Sequence, residues 1–248
     1  MEWHDEAIVI AARPHGESSL LVSLFSQVHG RHAGLARGGA GPRRRGDFQP
    51  GNQLAAHWRA RLADHLGSFT CELTGARAAR CLADADALAA LASACALCEV
   101  GLPERLPMPS LYQRLAGLLD RIAAGTPDWR AAYVAWEVDY LAELGFGLDL
   151  SECAVTGETD GLVFVSPRTG RAVSGAGAGR FADRLLPLPA FLHTPGAAAD
   201  AEAIADGLRL TGHFLDAHIF QPPERRMPEA RARLVDRLSR RPAPRRAS

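Results

Sequence analysis

The sequence predicts an α+β chain of more than one domain: a small all-β barrel, then a mostly α-helical part interrupted by a β-hairpin insertion. Three observations lead there. Through residue 74 apolar residues come in short runs parted by turn residues, partly with the alternation of half-buried strands. From Asp84 the texture becomes rich in alanine and leucine at helical spacing. Residues 151–180 then return to short β-like runs punctuated by glycine.

Ala7–Ala12 (Ala-Ile-Val-Ile-Ala-Ala) is a buried-strand run, and Ser18–Phe25 is a second, entered through the turn Pro14-His-Gly16. Gly30–Gly39 and Asn52–Arg61 are two further runs flanking a glycine-rich, triply basic loop. In the latter run Leu54, Ala56, Trp58 and Ala60 alternate with Gln53, Ala55, His57, Arg59 and Arg61, the period of a strand with one buried face. Leu66–Leu73 completes five strands, enough for a small barrel. Asp84–Cys98 predicts a helix with acids in its first turn, where the helix dipole favours them. Pro103–Pro109 breaks it. Ser110–Ile122 puts Leu111, Leu115, Leu118, Leu119 and Ile122 on one face, and Gly125 closes it. A third helix is predicted from Thr126-Pro-Asp, with proline at its first position, to Gly145. Its aromatics, among them Trp129, Tyr133, Trp136 and Tyr140, fall at helical spacing and predict core. Helices resume at Phe181–Leu186 and Asp200–Phe220 after a glycine segment, Gly175–Gly179, expected to be flexible. The predicted domains are therefore 1–78, 79–238 with the insertion at 151–179, and a basic, disordered tail over 239–248.

Charge is segregated. The chain is neutral overall, yet residues 29–61 hold seven arginines (Arg31, Arg37, Arg43, Arg44, Arg45, Arg59, Arg61) against Asp47, a net +6. Such a local excess is how a nucleic-acid face is built. Trp58 beside Arg59 and Arg61 offers a stacking ring next to phosphate-binding forks, although its parity with Leu54 equally suits the core. Residues 81–180 carry a net −6 and 221–248 a net +6. Arg225, Arg226, Arg231 and Arg233 are thus candidates for a second DNA contact or a docking place for an acidic partner.

All 28 basic residues are arginine, so a Walker phosphate loop, a Schiff-base lysine and a kinase strand lysine are excluded. Cys95-Ala-Leu-Cys98 lies mid-helix with no strand before it, unlike a redox motif. No paired-acid site or nucleophile elbow occurs, and no catalytic residue is assigned. The five cysteines form no disulfide framework, the start of the chain is acidic, and no run of 18 uncharged apolar residues exists. The expectation is a cytoplasmic protein. In the insertion, Cys153-x-x-Thr156 and Ser174-x-x-Gly177 stand where a zinc knuckle would carry Cys-x-x-Cys twice. One thiolate of four does not hold zinc, so no metal is expected, and Val155, Leu162, Phe164 and Val173 are expected to hold the hairpin instead.

Ile8-Val-Ile10, Gly16-Glu-Ser-Ser-Leu20, Gly30-Arg and Ala36-Arg-Gly-Gly39 come in an order that, followed by Cys153, Pro167-Arg-Thr-Gly170, Thr211-Gly-His-Phe-Leu215 and Ala230-Arg-Ala-Arg-Leu234, resembles the RecO family of bacterial recombination mediators over 1 to about 238. The resemblance implies an OB-fold DNA-binding domain at 1–78 on a helical domain. It implies a non-enzymatic function in the RecF pathway: binding single- and double-stranded DNA, annealing complementary strands, and helping RecA load on strands coated by single-strand-binding protein. RecR and the acidic C-terminal tail of single-strand-binding protein are the implied partners. An RNA-binding barrel protein and a thiol or metal enzyme using Cys95, Cys98 and Cys153 are the competing readings.

Overall fold

The computed structural model describes residues 1–62, 65–221 and 225–239. Beyond Ser239 the expected basic tail lies outside the described residues. The described residues divide into two compact units, Met1–Thr126 with Pro228–Arg231, and Pro127–Met227 with 232–239.

In the first unit, β1 (Glu2–His15), β2 (Ser19–Ser26), β3 (Gly30–Ala36), β4 (Gln53–Arg59) and β5 (Ser68–Gly75) close into a barrel in the order β1-β2-β3-β5-β4. β1 is long because it serves two neighbours: Glu2–Ile8 pair with β4, and Ala7–His15 with β2. A register shift between Val9 and Ala11 gives the bend this demands. The first half of β1, Glu-Trp-His-Asp-Glu, has too polar a pattern to be read as a strand; pairing with β4 makes it one. The barrel is filled by Val9, Val22, Leu24, Leu54, Trp58 and Phe69, all buried, each side chain contributing about 1.5–3 kcal/mol on removal from water.

β3 and β5 close the barrel in parallel, through Leu35–Ser68 and Ala36–Phe69. The first half of β3 meets a different partner. Arg31 forms an isolated parallel bridge with Glu104, and the Arg105 N–H donates to the Arg31 carbonyl at 2.8 Å. Gly30 sits there with φ +66°, and a Cβ on it would strike the Leu106 carbonyl.

Three helices share this unit. α1 (Arg77–Arg80) has too few residues to show a period in sequence. Its Arg77 is buried and donates to Asp120 at 2.7 and 3.2 Å and to Gln53 at 2.8 Å. α2 (Ala85–Gly101) begins at Asp84, whose carboxylate accepts from the Asp86 and Ala87 N–H groups, and α3 (Pro109–Ala124) ends on left-handed Gly125, both as the sequence predicts. Cys95 and Cys98 are buried in α2, where burial pushes both thiols up, Cys95 to about 12.

In the second unit α4 runs Trp129–Glu143, so Pro127 precedes the helix instead of opening it and Asp128 takes the cap position. Trp129, Tyr133, Trp136 and Tyr140 are buried, as their spacing predicts. The two strands of the insertion, β6 (Leu162–Val165) and β7 (Ala172–Ser174), join β8 (Leu186–Pro187), which follows it, in a small sheet of order β7-β6-β8. Leu162, Val165, Ala172 and Val173 are buried, whereas Val155 is exposed and Phe164 only half-buried. Val155 therefore does not hold the hairpin. The glycine segment forms a helical turn, α5 (Gly175–Ala178), because the Ser174 hydroxyl accepts from the Gly177 N–H. A 3₁₀ stretch, Gly179–Arg184, replaces the helix predicted at 181–186. α6 (Ala201–Phe214) continues as a π-helix, Leu215–Phe220, and α7 spans Glu229–Ser239. Among the described residues no helix is long and apolar enough to cross a membrane.

Candidate nucleic-acid interface

The triply basic loop is a folded plug. Successive turns link Gly39 to Ala36, Gly41 to Gly38, Arg45 to Gly41 and Asp47 to Arg44. Phe48 then drops into the barrel core. At the far end buried Asn52 donates to the Gly46 and Asp47 carbonyls and accepts from the Ala78 N–H. Fixed this way, the loop presents Arg37, Arg43 and Arg45 to solvent. Arg44 is partly spent: it donates to the Cys71 carbonyl at 2.9 Å, lies over the Phe48 ring and pairs with Asp47 at 3.8 Å.

Strand register decides what shares this face. Ala36 lies opposite Leu20, and the Ala40 N–H donates to the Ser18 carbonyl, so the plug sits at the end of the barrel with the β1–β2 turn. Arg59 ends β4 opposite Glu2, at the end where β1 begins. Arg59 and Arg61 are exposed there, away from Arg43 and Arg45. The predicted cationic stretch is thus two groups at two ends of one barrel.

Two of the predicted residues lie inside. Arg31 is 15% exposed and committed to structure: Nε donates to the Leu102 carbonyl, and the guanidinium pairs with Glu99 and Glu104 at 3.8 and 3.4 Å. Those acids lie about seventy residues along the chain, beyond any local pattern. Trp58 is 2% exposed, its indole N–H bonded to the Leu66 carbonyl; of its two readings, the core is the one realised. Arg225, Arg226 and Arg233 are exposed, but Arg231 is buried and offers DNA no guanidinium.

In the insertion the Cys153 sulfur receives N–H groups of Ser174 and Thr156 at 3.2 and 3.4 Å. Burial pushes this thiol up, yet the hydrogen bonds of Ser174 and Thr156 outweigh it and bring it down to about 6. The remaining knuckle positions hold a threonine, a serine and a glycine, a donor set that does not fit zinc. Backbone amides stand around the sulfur where a metal would.

Sequence reasoning missed a second feature at the β1 end. The inward positions of β3 are Gly30, His32, Gly34 and Ala36, so a histidine faces the barrel between small residues. It meets Trp3, His29 and Trp58. The strand alternation carries this signal once Gly30–Ala36 is read as half-buried.

Two family models match the chain: "Recombination protein O N terminal" over residues 1–77 and "Recombination protein O C terminal" over 82–227. A protein of Rhodospirillum rubrum named DNA repair protein RecO is 52% identical over 245 residues, 97% of each chain. Proteins of the same name from Rhodospirillum centenum and a Ruegeria species are 51% and 49% identical, covering 96% and 97% of this chain and 94% and 100% of theirs. A five-stranded barrel closed in parallel between β3 and β5, a helical region with a small sheet inserted, and likeness at this level along nearly the whole length agree: the chain belongs to the RecO family.

Proposed function

We propose that this protein is a non-enzymatic DNA repair and recombination mediator of the RecF pathway, acting in the cytoplasm at the nucleoid. It binds single- and double-stranded DNA, anneals complementary strands, and with RecR helps RecA load on strands coated by single-strand-binding protein, whose acidic tail recruits it. The observation that carries this reading is the rigid plug presenting Arg37, Arg43 and Arg45. Planar guanidinium forks match phosphate oxygens, and releasing the counterions of each phosphate drives binding without regard to sequence. Two strands held on one cationic surface repel each other less, so pairing is accelerated with no bond made or broken. Complementary oligonucleotides precoated with single-strand-binding protein should anneal faster with this protein than without; equal rates would refute the mediator reading. In the same reading the insertion carries no zinc. Metal analysis of the native protein is expected to find none in stoichiometric amount, and one zinc per chain would overturn that statement.

A further inference from the structure

At the end of the barrel where β1 begins lies a cavity of about 490 Å³, bordered by Trp3, His29, His32, Trp58, Arg105 and Pro107. Its walls are rings in a ladder. His29 stacks on Trp3 at 4.3 Å with 18° between planes, and Trp3 lies near-parallel to Trp58 at 6.1 Å and 20°. His32 stands edge-on to both, at 77° to Trp3 and 69° to Trp58. His32 is 6% exposed and lies against the His29 backbone, whereas the buried Trp3 indole N–H makes no hydrogen bond among the described residues. Unmet buried polar atoms cost about 1–3 kcal/mol each and call for an explanation.

We propose that this barrel mouth takes one unpaired nucleobase of a single-stranded DNA. The inference deepens the DNA-binding reading above and rests on it. A base has the flat π-face that an aromatic ladder accepts whatever the sequence. Its edge carries donors and acceptors side by side, and entering alongside Trp3 it places an acceptor near the indole that lacks one. Burial, then the positive charge of Arg105 and His29, lowers the pKa of His32 to about 4. The imidazole is therefore neutral near pH 7 and offers one donor and one acceptor. An aliphatic side chain of a peptide would fill the space but bring neither a π-face nor a hydrogen-bonding edge. The surroundings suit the rest of a strand: Arg59 and Arg61 are exposed at this end to meet phosphates, and Arg105, which donates to the His65 carbonyl at 3.1 Å, adds positive charge beside the cavity. Glu2, an acid in the lining, turns phosphate away from the cavity and favours entry of the uncharged base.

The test compares oligothymidylate with an abasic strand of equal length and charge, by anisotropy and by quenching of tryptophan fluorescence. The base-bearing strand is expected to bind about five- to a hundredfold tighter and to quench, and Trp3→Leu should remove most of that margin. His29→Ala, on the turn between β2 and β3, should shrink the same margin and replaces Trp3→Leu should that variant not fold. Equal affinity for the two strands would overturn the pocket while sparing the DNA-binding reading; no binding of either strand would overturn both. Thymidine monophosphate quenching at the same concentration as the strand would also overturn the proposal, since the ligand would then be a free nucleotide.

Discussion

Replacing Arg43, Arg44 and Arg45 together by alanine is expected to weaken binding to unrelated single strands alike, by about tenfold or more, and to flatten the slope of log affinity against log salt by about 2. The sameness across sequences follows from contacts made to phosphate and not to base edges. Arg44 complicates the triple variant, because it also donates to the Cys71 carbonyl and covers Phe48. The Arg43→Ala/Arg45→Ala double variant removes only exposed guanidinium groups and should deliver about two-thirds of the slope change with an unaltered unfolding midpoint. Salt titrations of anisotropy decide it. An unchanged slope in both variants would remove the plug from the interface.

Gly30→Ala is expected to be the most damaging small substitution in the barrel, costing about 3 kcal/mol or more. At φ +66° any Cβ is strained, and here it would also meet the Leu106 backbone, which has no rotamer to yield. Gly38→Ala supplies the control: φ is +70°, but a Cβ there meets nothing within 4 Å, so only the conformational strain of about 1–2 kcal/mol remains. In thermal unfolding the two should differ by several degrees, about 6–12 °C lost for Gly30→Ala and about 2–8 °C for Gly38→Ala. Equal losses would mean that the approach of Leu106 carries no energetic weight.

What could be read along the chain was whatever a local period encodes. Alternation predicts β4 and gives Trp58 the parity of Leu54, Asp84 starts α2 with its side-chain carboxylate, and Gly125 ends α3 with its left-handed backbone. Side chains whose position depends on distant partners were illegible. Arg31 looks like any loop arginine until Glu99 and Glu104 fold against it, and Arg77 lies in a helix of four residues, too short for a pattern, until Asp120 and Gln53 enclose it. The candidate interface shows the same limit. Composition announced a basic stretch, but only strand register separates Arg43 and Arg45 from Arg59 and Arg61. A run of positive residues fixes how much charge is present; the pairing of strands fixes where it goes.

The parallel bridge between Arg31 and Glu104, with the Arg105 N–H on the Arg31 carbonyl, bears on how the protein is born. β3 is laid against β5 over only its last two residues, so its leading half keeps a row of unmet amides and carbonyls, a surface that invites other chains. Emerging from the ribosome, the five strands can curl together, yet the seam stays bare until α2 has followed and Glu104 and Arg105 arrive. The latch is encoded after the door, and a nascent chain stalled between the two would present adhesive backbone to its neighbours.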